Sequence, residues 1–426
     1  MAQTKSVITC DLEGRIETFN QGAEAIFGYR AEETVGKKRV SLFSPGLIVL
    51  AHVQNWLKTA REQGEYTGTT VFVRRDGSLF SADIRITPTF RNGRQIGYCG
   101  VTTPRPDIPV AQAMPRVSLA TRLFAWMVIT RAPFLTATLV PVLAGAAWAF
   151  TQSQAFSWGM FWLVLIGAMA LHVAANTFND YFDWKTGADQ ANNGYFMPYS
   201  GGSRAIELGL ISERSLLAVA WASLLIAVAA GLPFLFWRGP LLLAFGAVGA
   251  FSVYFYTAPP LRLAARKGLG ELIVGMNFGP LMTAGTVYAL TGRLTWMDFF
   301  IGLPIGLLTT AILWINQFPD LEADRVSGKH NLVVVLGREK ARWGYLLLVA
   351  AAFVLPAIGA AVGALPLAAL GTLLALPLAV YATRVLFRHY NDRALIKANS
   401  STILLHLVTG LLLAVGLLIS GMIRLA

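Results

Sequence analysis

The sequence predicts an all-α polytopic membrane bundle of about nine transmembrane helices, preceded by a small soluble α/β domain. Only 14% of the 426 residues are charged, against about 25% in soluble globular chains, and 55% are hydrophobic. After residue 130, nine apolar runs approach the roughly 20 helical residues that a hydrocarbon core about 30 Å thick requires. Before residue 105, short alternating runs separated by turn residues predict the soluble domain instead.

Strand and turn signals fill residues 1–104. Residues 6–10 are strand-like and are followed by a turn at residues 11–14. A second pair of strands surrounds the Asp-Gly turn at residues 76–77, and the Asn-Gly pair at residues 92–93 marks a further hairpin. Two short helical stretches lie between the early and the late strands. These signals predict a small domain built on hairpins.

The same region resembles the PAS family of sensor domains over nearly all of its length. The matching positions are Asp11, Gly14, Ile16, Asn20, Ala23, Phe27, Gly28, Tyr29, Glu33, Gly36, Arg75, Asp76 and Gly77. The resemblance implies a domain that binds an unknown small ligand, as flavin-binding and haem-binding relatives do, or that acts in self-association. His52 is the only histidine of the domain, and it is either a surface residue or a haem ligand.

The chain has two cysteines, Cys10 and Cys99, and this count argues against a disulfide scaffold or a zinc cluster. The PAS resemblance implies that their strands lie side by side. Two interpretations follow: the cysteines form a redox-sensitive pair, or they are two buried apolar thiols.

A proline-containing linker at residues 105–115 joins the soluble domain, residues 1–104, to a membrane domain at residues 116–426. Residues 116–130 place large apolar side chains on one helical face, so they either lie along the membrane surface or begin the first span. The predicted spans are 133–151, 157–179, 215–236, 239–256, 270–291, 297–317, 343–363, 365–386 and 403–422.

Basic residues are distributed unequally between the two sides of these spans. With the N-terminus inside, the inner segments hold 18 Lys and Arg, and the outer segments hold 3, namely Arg238, Arg293 and Arg424. The polar N-terminus shows no secretory signal. We therefore expect an integral inner-membrane protein whose soluble domain and active-site mouth face the cytoplasm. Topology and anionic ligands account for the net charge of +12, so we expect no nucleic-acid partner.

Two acidic clusters follow long apolar runs and share the pattern Asn-x-Phe-x-Asp, with the aspartates at positions 180 and 320. In each cluster the asparagine and two aspartates are spaced to share one helix face, provided that the second helix tolerates Pro319. The pattern resembles a weak internal duplication with the two clusters facing each other. The predicted catalytic residues are Asn176, Asp180, Asp183, Asn316, Asp320 and Asp324.

The four aspartates predict a magnesium site. Acidic residues at the end of a membrane helix are costly unless they bind a partner. Opposed carboxylate pairs suit Mg²⁺, which prefers oxygen ligands and commonly bridges carboxylates to substrate phosphates. We therefore expect Mg²⁺ on Asp180, Asp183, Asp320 and Asp324. The alternative is that these aspartates pair with basic loop residues and only anchor the topology.

Basic residues near the clusters would complete a clamp for a diphosphate. Tyr256 either lines the site or belongs to an interfacial tyrosine belt. Glu271 either caps its helix or orients a basic residue, and His172 either touches the second substrate or is a hydrogen-bonded core histidine. The predicted substrate-binding residues are Lys185, Asp189, Arg204, Tyr256, Arg262, Arg325 and Lys329.

Residues 116–426 resemble the UbiA superfamily of intramembrane prenyltransferases, whose members have nine helices and two Asp-rich motifs. The first motif matches at residues 179–183, whereas its usual next aspartate is replaced by Gly187, with Asp189 following. This variant is similar to the branch that acts on 1,4-dihydroxy-2-naphthoate in menaquinone synthesis. Further similar stretches are residues 200–204, 256–262, 270–271 and 316–320, although relatives with other acceptors also carry such segments.

The resemblance implies Mg²⁺-dependent transfer of a polyprenyl group from an allylic polyprenyl diphosphate to an aromatic acceptor, with loss of CO₂ if the acceptor is dihydroxynaphthoate. Basic residues would stabilise the leaving diphosphate, and the site would exclude water from the allylic cation. The alternatives are a different acceptor (4-hydroxybenzoate or a lipid precursor), a non-catalytic PAS-linked membrane sensor, or a transporter. A sensor needs an output domain, which we do not expect after the ninth span, and a transporter needs polar groups at the membrane midplane.

Overall fold

A computed structural model describes residues 4–44, 46–192, 194–196 and 199–425. The chain forms two compact units. The N-terminal unit comprises Met1–Ile129 and Arg204–Ser212, and the membrane unit comprises Thr130–Ser203 and Glu213–Ala426. The sequence places its linker at residues 105–115 and does not predict that residues 204–212 join the N-terminal unit.

A five-stranded antiparallel sheet forms the centre of the N-terminal unit, with the strand order β2-β1-β5-β4-β3. Both predicted hairpins are present. Asn92 and Gly93 turn the chain with φ of 49° and 73°, which suits the positive backbone angles of a tight hairpin turn. The strands are β1 (Ser6–Asp11), β2 (Ile16–Phe19), β3 (Tyr66–Val73), β4 (Leu79–Arg91) and β5 (Arg94–Pro104).

The described part of the N-terminal unit also has five short α-helices, a 3₁₀ helix at Val40–Phe43 and a π-helix at Val49–Val53. The α-helices are α1 (Gln21–Phe27), α2 (Ala31–Thr34), α3 (Gln54–Gln63), α4 (Val110–Ala113) and α5 (Leu119–Ile129). Asn20 caps α1 by accepting a hydrogen bond from the N–H of Ala23 at 2.8 Å. The buried rings of Phe27, Phe43 and Phe72 pack between α1 and the sheet. This arrangement of sheet and helices confirms the predicted α/β domain.

The strand register contradicts the redox-pair hypothesis for Cys10 and Cys99. Strands β1 and β5 are neighbours, as expected, but Thr9 lies opposite Cys99 and Cys10 lies opposite Tyr98. Because successive side chains of a strand point to opposite faces, the two thiols lie on opposite sides of the sheet. Cys10 is a buried thiol and Cys99 is only partly buried. A disulfide between them is therefore excluded, and the redox-pair hypothesis is wrong.

The membrane unit is helical, and each predicted span corresponds to a helix. Within the described residues, eight helices are long and apolar enough to cross a membrane. The predicted fourth span is a shorter apolar helix of 15 residues. The helices are α6 (Thr136–Ser153), α7 (Trp158–Lys185), α8 (Ala188–Ala191), α9 (Glu213–Arg238), α10 (Leu241–Phe255), α11 (Leu269–Met276), α12 (Met282–Thr291), α13 (Trp296–Phe300), α14 (Leu303–Val326), α15 (Leu332–Ala361), α16 (Leu376–His389) and α17 (Ile396–Leu425).

Several of these helices combine into single spans. The helices α11 and α12 are joined through Asn277–Leu281 into the span Leu269–Thr291, and α13 and α14 form the span Trp296–Val326. Helix α16 continues the 3₁₀ helix Leu367–Ala375 to form the span Leu367–His389. Helix α14 continues through Pro319, as the predicted second cluster requires. Helix α15 is interrupted at Gly337, where φ is 73°.

Glycines allow the span Leu269–Thr291 to approach α14 closely. A Cβ on Gly279 would lie 2.5 Å from the carbonyl oxygen of Gly302 and 2.5 Å from the Cα of Gly306. Gly275 also packs against Gly306. The spacing of four residues between each pair is the small-residue pattern that brings membrane helices together. The close contact fixes α11 beside α14, the helix that carries the second aspartate cluster.

Candidate active site

The first cluster lies on α7, which extends to Lys185, beyond the predicted end of the span at residue 179. Asp180 is 3% exposed and accepts a hydrogen bond from the N–H of Ser203, at 3.2 Å from Oδ2. The guanidinium of Arg131 lies 3.8 Å from Asp180 Oδ1. One turn earlier, Asn176 donates to the carbonyl oxygen of Thr130 at 3.1 Å.

The second cluster lies on α14, and its polar side chains also have hydrogen-bond partners. Asp320 accepts hydrogen bonds from Asn192 Nδ2 at 2.7 Å and from the N–H of Gly201 at 3.1 Å. Asp324 accepts from Asn331 Nδ2 at 2.8 Å. Asn316 accepts from Asn399 Nδ2 at 2.8 Å, with Asn399 fully buried on α17. The paired phenylalanines of the repeated pattern, Phe178 and Phe318, are both fully buried.

Residues 199–203, here called the glycine-rich loop, join the two clusters. Gly201 donates its N–H to Asp320, and Ser203 donates its N–H to Asp180. Two residues of backbone span at most about 7 Å, so the two aspartates lie near each other. Gly202 has φ of 72°, and a Cβ there would lie 3.0 Å from Asp180 Oδ1. The loop therefore requires glycine both for its conformation and for its approach to the carboxylate.

Lys329 makes a second connection between the clusters. Its ammonium lies 2.9 Å from Asp183 Oδ2 and 3.8 Å from Asp324 Oδ1. The three side chains are 13–14% exposed. Burial alone would lower the pKa of Lys329, but Asp183 and Asp324 raise it above its ordinary value, so the ammonium is charged at neutral pH. The two predicted aspartate motifs therefore meet around one cation.

A cavity of about 720 Å³ opens beside these groups. Most of its wall is apolar and comes from α7, α9, α10 and the span Leu269–Thr291. The volume falls in the range of about 300–1,000 Å³ that small-molecule sites occupy. The predicted site residues that line it are Asn176, Asp183, Asp189, Tyr256, Asn316, Asp320, Asp324 and Lys329. Asp180 lies directly behind Gly202 of the loop.

Four of the predicted substrate-binding residues have other partners. Lys185 pairs with Glu213 at 2.5 Å, and Arg325 pairs with Glu322 at 3.3 Å. Both side chains are at least half exposed, because each falls on a different helix face from the neighbouring aspartates. Arg262 donates to the carbonyl oxygen of Ser327 at 3.4 Å, and among the described residues none of these three lines the cavity.

The fourth, Arg204, belongs to the N-terminal unit. Its guanidinium pairs with Glu207 at 2.6 Å, and its side chain is 2% exposed. The family resemblance groups this residue with residues 200–203 in one motif. The chain passes from one compact unit to the other at the bond between Ser203 and Arg204.

Sequence reasoning did not identify several residues that support the site. Arg131, Asn192, Asn331 and Asn399 each make the contacts with a cluster described above. Asn399 precedes the predicted span at residues 403–422, in the mostly polar stretch of residues 397–401, so no sequence signal marked it as a buried partner. Asn192 and Asn331 lie outside the spans, where sequence spacing does not predict which side chain reaches an aspartate.

Two open alternatives are resolved by contacts. Glu271 caps a helix other than its own, since its Oε1 accepts the N–H of Leu332, the first residue of α15, at 2.9 Å. Gln317 also donates to this oxygen, at 3.2 Å. His172 Nδ1 shares a hydrogen bond with the hydroxyl of Thr138 at 2.8 Å, and its ring packs on Phe278, so it is a hydrogen-bonded core histidine that also lines the cavity.

The donor set suits a hard divalent cation that a phosphate also binds. Among the described residues, no group of three or more His, Cys, Asp or Glu side chains is placed to hold a metal ion on its own. Mg²⁺ does not require such a group, because it commonly takes one or two carboxylates and completes its shell with water and substrate phosphates. Asp183 and Asp324 already hold a cation, the Lys329 ammonium, between them. Their position on a cavity wall favours a ligand site over simple topology anchors.

Comparisons with known proteins match each of the two regions of the chain to a family. The chain matches the UbiA prenyltransferase family over residues 138–408 and the PAS domain family over residues 4–102. It is 29% identical to a 2-carboxy-1,4-naphthoquinone phytyltransferase of Synechocystis sp., over 71% of this chain and 95% of that protein. It is also 29% identical to a 1,4-dihydroxy-2-naphthoate octaprenyltransferase of Bacillus subtilis, over 68% of this chain and 91% of that protein.

A solved structure supports the fold. The apo structure of a UbiA homologue from Aeropyrum pernix covers 67% of this chain and 97% of its own, with a TM-score of 0.50 and 17% identity. The predicted fold class and the predicted family resemblance are thereby confirmed.

Proposed function

Because this chain belongs to the UbiA prenyltransferase family, we propose that it transfers a polyprenyl group from an allylic polyprenyl diphosphate to 1,4-dihydroxy-2-naphthoate, with Mg²⁺ as the metal. The observation that carries this proposal is the meeting of both aspartate clusters at one cavity, through Lys329 and the glycine-rich loop. The relatives named for naphthoate substrates favour this acceptor. They match the chain across most of their own length.

The carboxylates of Asp183, Asp320 and Asp324 line the cavity and would hold Mg²⁺ together with Asp180. When bound, Mg²⁺ neutralises the negative charge on the diphosphate. The protein keeps the carboxylates in place through the donors already described. Asn192 and Gly201 hold Asp320, Ser203 and Arg131 hold Asp180, and Asn331 holds Asp324.

Lys329 would contribute directly to departure of the diphosphate. As the allylic C–O bond breaks, its electron pair leaves with the diphosphate, and a fixed ammonium beside that oxygen stabilises the growing charge. Lys329 is charged, enclosed and close to both clusters, which suits this role. Asp183 and Asp324 also hold the ammonium in place, so little reorganisation is needed when the substrate arrives.

The apolar wall of the cavity would bind the prenyl chain and keep water from the allylic cation. The electron-rich ring of the acceptor then attacks the cation. A dihydroxynaphthoate ring exchanges its carboxylate, lost as CO₂, for the prenyl group. Tyr256 and Asn316 also line the cavity and are available to orient the acceptor through its oxygens.

Two further proposals concern the orientation of the chain in the membrane and the role of the N-terminal unit. The soluble domain and the mouth of the cavity face the cytoplasm, a placement supported by the 18 inner and 3 outer basic residues. The PAS-like domain binds a small ligand or self-associates, as the family match suggests. The orientation can be tested by introducing single cysteines into the loops of the protein and treating intact cells with a thiol reagent that does not cross the membrane. A loop that reacts with this reagent lies outside.

A prenyl-transfer assay with a panel of acceptors tests the proposed function. The purified full-length chain is incubated with a polyprenyl diphosphate, Mg²⁺ or EDTA, and dihydroxynaphthoate, 4-hydroxybenzoate or a glycerol phosphate lipid precursor. We expect a prenylated product and release of CO₂ with dihydroxynaphthoate, and no product with EDTA. Turnover of only another acceptor would contradict the substrate assignment and leave the family assignment in place.

A further inference from the structure

Two polar side chains line the cavity farther from the aspartate clusters, where its wall is mostly apolar. His172 lies on α7, one turn before Asn176 and two turns before Asp180, which corresponds to about 6 and about 12 Å along the helix. Asn277 lies where α11 and α12 join. Phe278, the next residue, packs edge-on against the His172 ring, with 4.7 Å between the ring centroids. The backbone that carries Asn277 therefore lies beside His172.

The hydrogen bond with Thr138 decides which nitrogen of His172 carries a proton. Thr138 is fully buried, and its hydroxyl has one described partner, His172 Nδ1, at 2.8 Å. A buried O–H without an acceptor is costly, so the hydroxyl donates to Nδ1. An imidazole that accepts at Nδ1 carries its proton on Nε2. Nε2 has no described partner and the residue lines the cavity, so His172 offers an N–H donor to a ligand there.

Asn277 offers the complementary group. Its Nδ2 donates to the carbonyl oxygen of Ile273 at 2.8 Å and to the hydroxyl oxygen of Ser252 at 3.2 Å. A carbonyl oxygen only accepts, so the atom that contacts Ile273 is the amide nitrogen, and both of its N–H groups are used. The other amide atom, Oδ1, only accepts and has no described partner. Because Asn277 lines the cavity, this oxygen is available to a ligand.

The two groups indicate the chemistry of the ligand that they bind. A prenyl chain is a hydrocarbon and satisfies neither of them, although enclosed polar groups without a hydrogen-bond partner cost free energy. One donor and one acceptor together match a hydroxyl, which accepts through its oxygen and donates through its proton. A carboxylate would place an acceptor opposite Asn277 Oδ1, and a carbonyl oxygen would satisfy only His172.

We infer that His172 and Asn277 bind a phenolic hydroxyl of the aromatic acceptor and thereby select it. In 1,4-dihydroxy-2-naphthoate, one hydroxyl is next to the carboxylate-bearing carbon that receives the prenyl group, and the C4 hydroxyl points away from that carbon. The reacting carbon must stay at the aspartate end of the cavity, so the C4 hydroxyl is the one that reaches His172. This inference rests on the proposed function and adds to it the residues that determine acceptor specificity.

Replacement of His172 by Phe, with His406→Phe as the matched control, tests the inference. Phenylalanine keeps a flat ring against Phe278 and removes the donor. His406 is fully buried on α17, neither of its ring nitrogens has a described partner, and it is not among the described residues that line the cavity. The second ligand of the test is 1-hydroxy-2-naphthoate, which keeps the carboxylate and the adjacent hydroxyl and lacks only the C4 hydroxyl.

Kinetics of the full-length variants give the readout, with dihydroxynaphthoate as substrate and 1-hydroxy-2-naphthoate as a competitor whose inhibition constant is measured. We expect His172→Phe to lower kcat/KM for dihydroxynaphthoate about tenfold, as loss of one hydrogen bond can, and to leave the inhibition constant within about twofold of wild type. His406→Phe should change neither value. Equal losses for the two ligands, or no loss for either, would overturn the inference.

Two further variants keep the test decisive if His172→Phe does not fold. His172→Gln places an amide N–H near the position of Nε2, so we expect it to retain most of the preference for dihydroxynaphthoate. Asn277→Leu removes the acceptor oxygen at similar size, and it should lower kcat/KM for dihydroxynaphthoate without changing the inhibition constant of the competitor. An undiminished preference in Asn277→Leu would count against the inference. A wild-type chain that does not prenylate dihydroxynaphthoate would instead refute the proposed function.

Discussion

Asp183 on α7 and Asp324 on α14 share one ammonium, that of Lys329, at 2.9 and 3.8 Å. The two carboxylates come from helices far apart in the chain. Without the lysine they would face each other across the cavity with uncompensated charge. The proposed reaction depends on this meeting of the two aspartate clusters.

Replacement of Asp320 by Asn is expected to lower kcat/KM by at least about 100-fold, because the amide removes a charge that would hold Mg²⁺, and even the outer partners of metal ligands are worth about 10-fold to 100-fold. The amide keeps the shape of the side chain and can still meet Asn192, so the fold should be retained. Glu322→Gln is the matched control, since Glu322 lies on the same helix, pairs only with Arg325 among the described contacts and is 66% exposed. Steady-state kinetics at saturating Mg²⁺ provide the measurement. Comparable losses in both variants would show that the effect is not specific to the site.

Replacement of Lys329 by Met should lower kcat/KM by roughly 100-fold to 1,000-fold, through loss of the fixed charge beside the leaving diphosphate. The methionine side chain fills similar space, so the cavity should keep its shape. Lys267→Met removes an exposed lysine at the start of the span Leu269–Thr291 and should leave the kinetics unchanged. Near wild-type turnover of Lys329→Met would rule out the proposed role of the ammonium.

Replacement of Gly202 by Ala is expected to reduce turnover strongly. Its Cβ would press on Asp180 Oδ1 at 3.0 Å and on Asp189 Oδ1 at 3.3 Å, in a backbone conformation that already disfavours alanine. Gly187→Ala has a similar φ, 78° against 72°, and its Cβ would meet no described atom within 4 Å. Activity per correctly folded molecule, with Tm measured in parallel, separates the two effects. A loss of the same size in Gly187→Ala would point to backbone strain alone.

The thiol of Cys10 should resist alkylation, whereas Cys99 should react faster. Burial raises the pKa of Cys10 to about 12, so the reactive thiolate is scarce at pH 8 and its rate should rise about tenfold per pH unit up to that value. Burial also raises the pKa of Cys99, but its side chain is more accessible. Mass spectrometry after timed alkylation gives both rates, and guanidinium-unfolded protein serves as the reference. Oxidation with diamide should leave the mass of the monomer unchanged, and a loss of two hydrogens would contradict the strand register.

The fold was largely predictable because its signals are local. Apolar runs locate the spans, and Asn92-Gly93 locates a hairpin. The Asn-x-Phe-x-Asp repeat identified both clusters because helix periodicity relates residues on one face. Basic residues were harder to assign, since Lys185 and Arg325 lie close to the aspartates in sequence but on other faces of their helices. Lys329 is also close to the second cluster in sequence, and the structure places its ammonium between Asp183 and Asp324.

Two features could not be obtained from sequence spacing. The side of the sheet on which Cys99 lies depends on the strand register, and a shift of one residue would have placed it beside Cys10. The assignment of residues 204–212 to the N-terminal unit depends on tertiary contacts, one of which is the close approach of Gly46 to Gly209. Glycine in a loop predicts a turn, but it does not indicate which distant backbone the turn touches.

Helix α10 has consequences for the length of the isoprenoid that the protein accepts. Its 15 residues rise only about 22 Å, less than a hydrocarbon core about 30 Å thick. Residues of α10 form part of the cavity wall, so this part of the wall is shorter than the hydrocarbon layer is thick. The far end of a long isoprenoid would then lie among the acyl chains of the bilayer. We therefore expect homologous diphosphates of increasing length to be accepted with similar kcat/KM, because the lipid accommodates the units that the protein does not enclose.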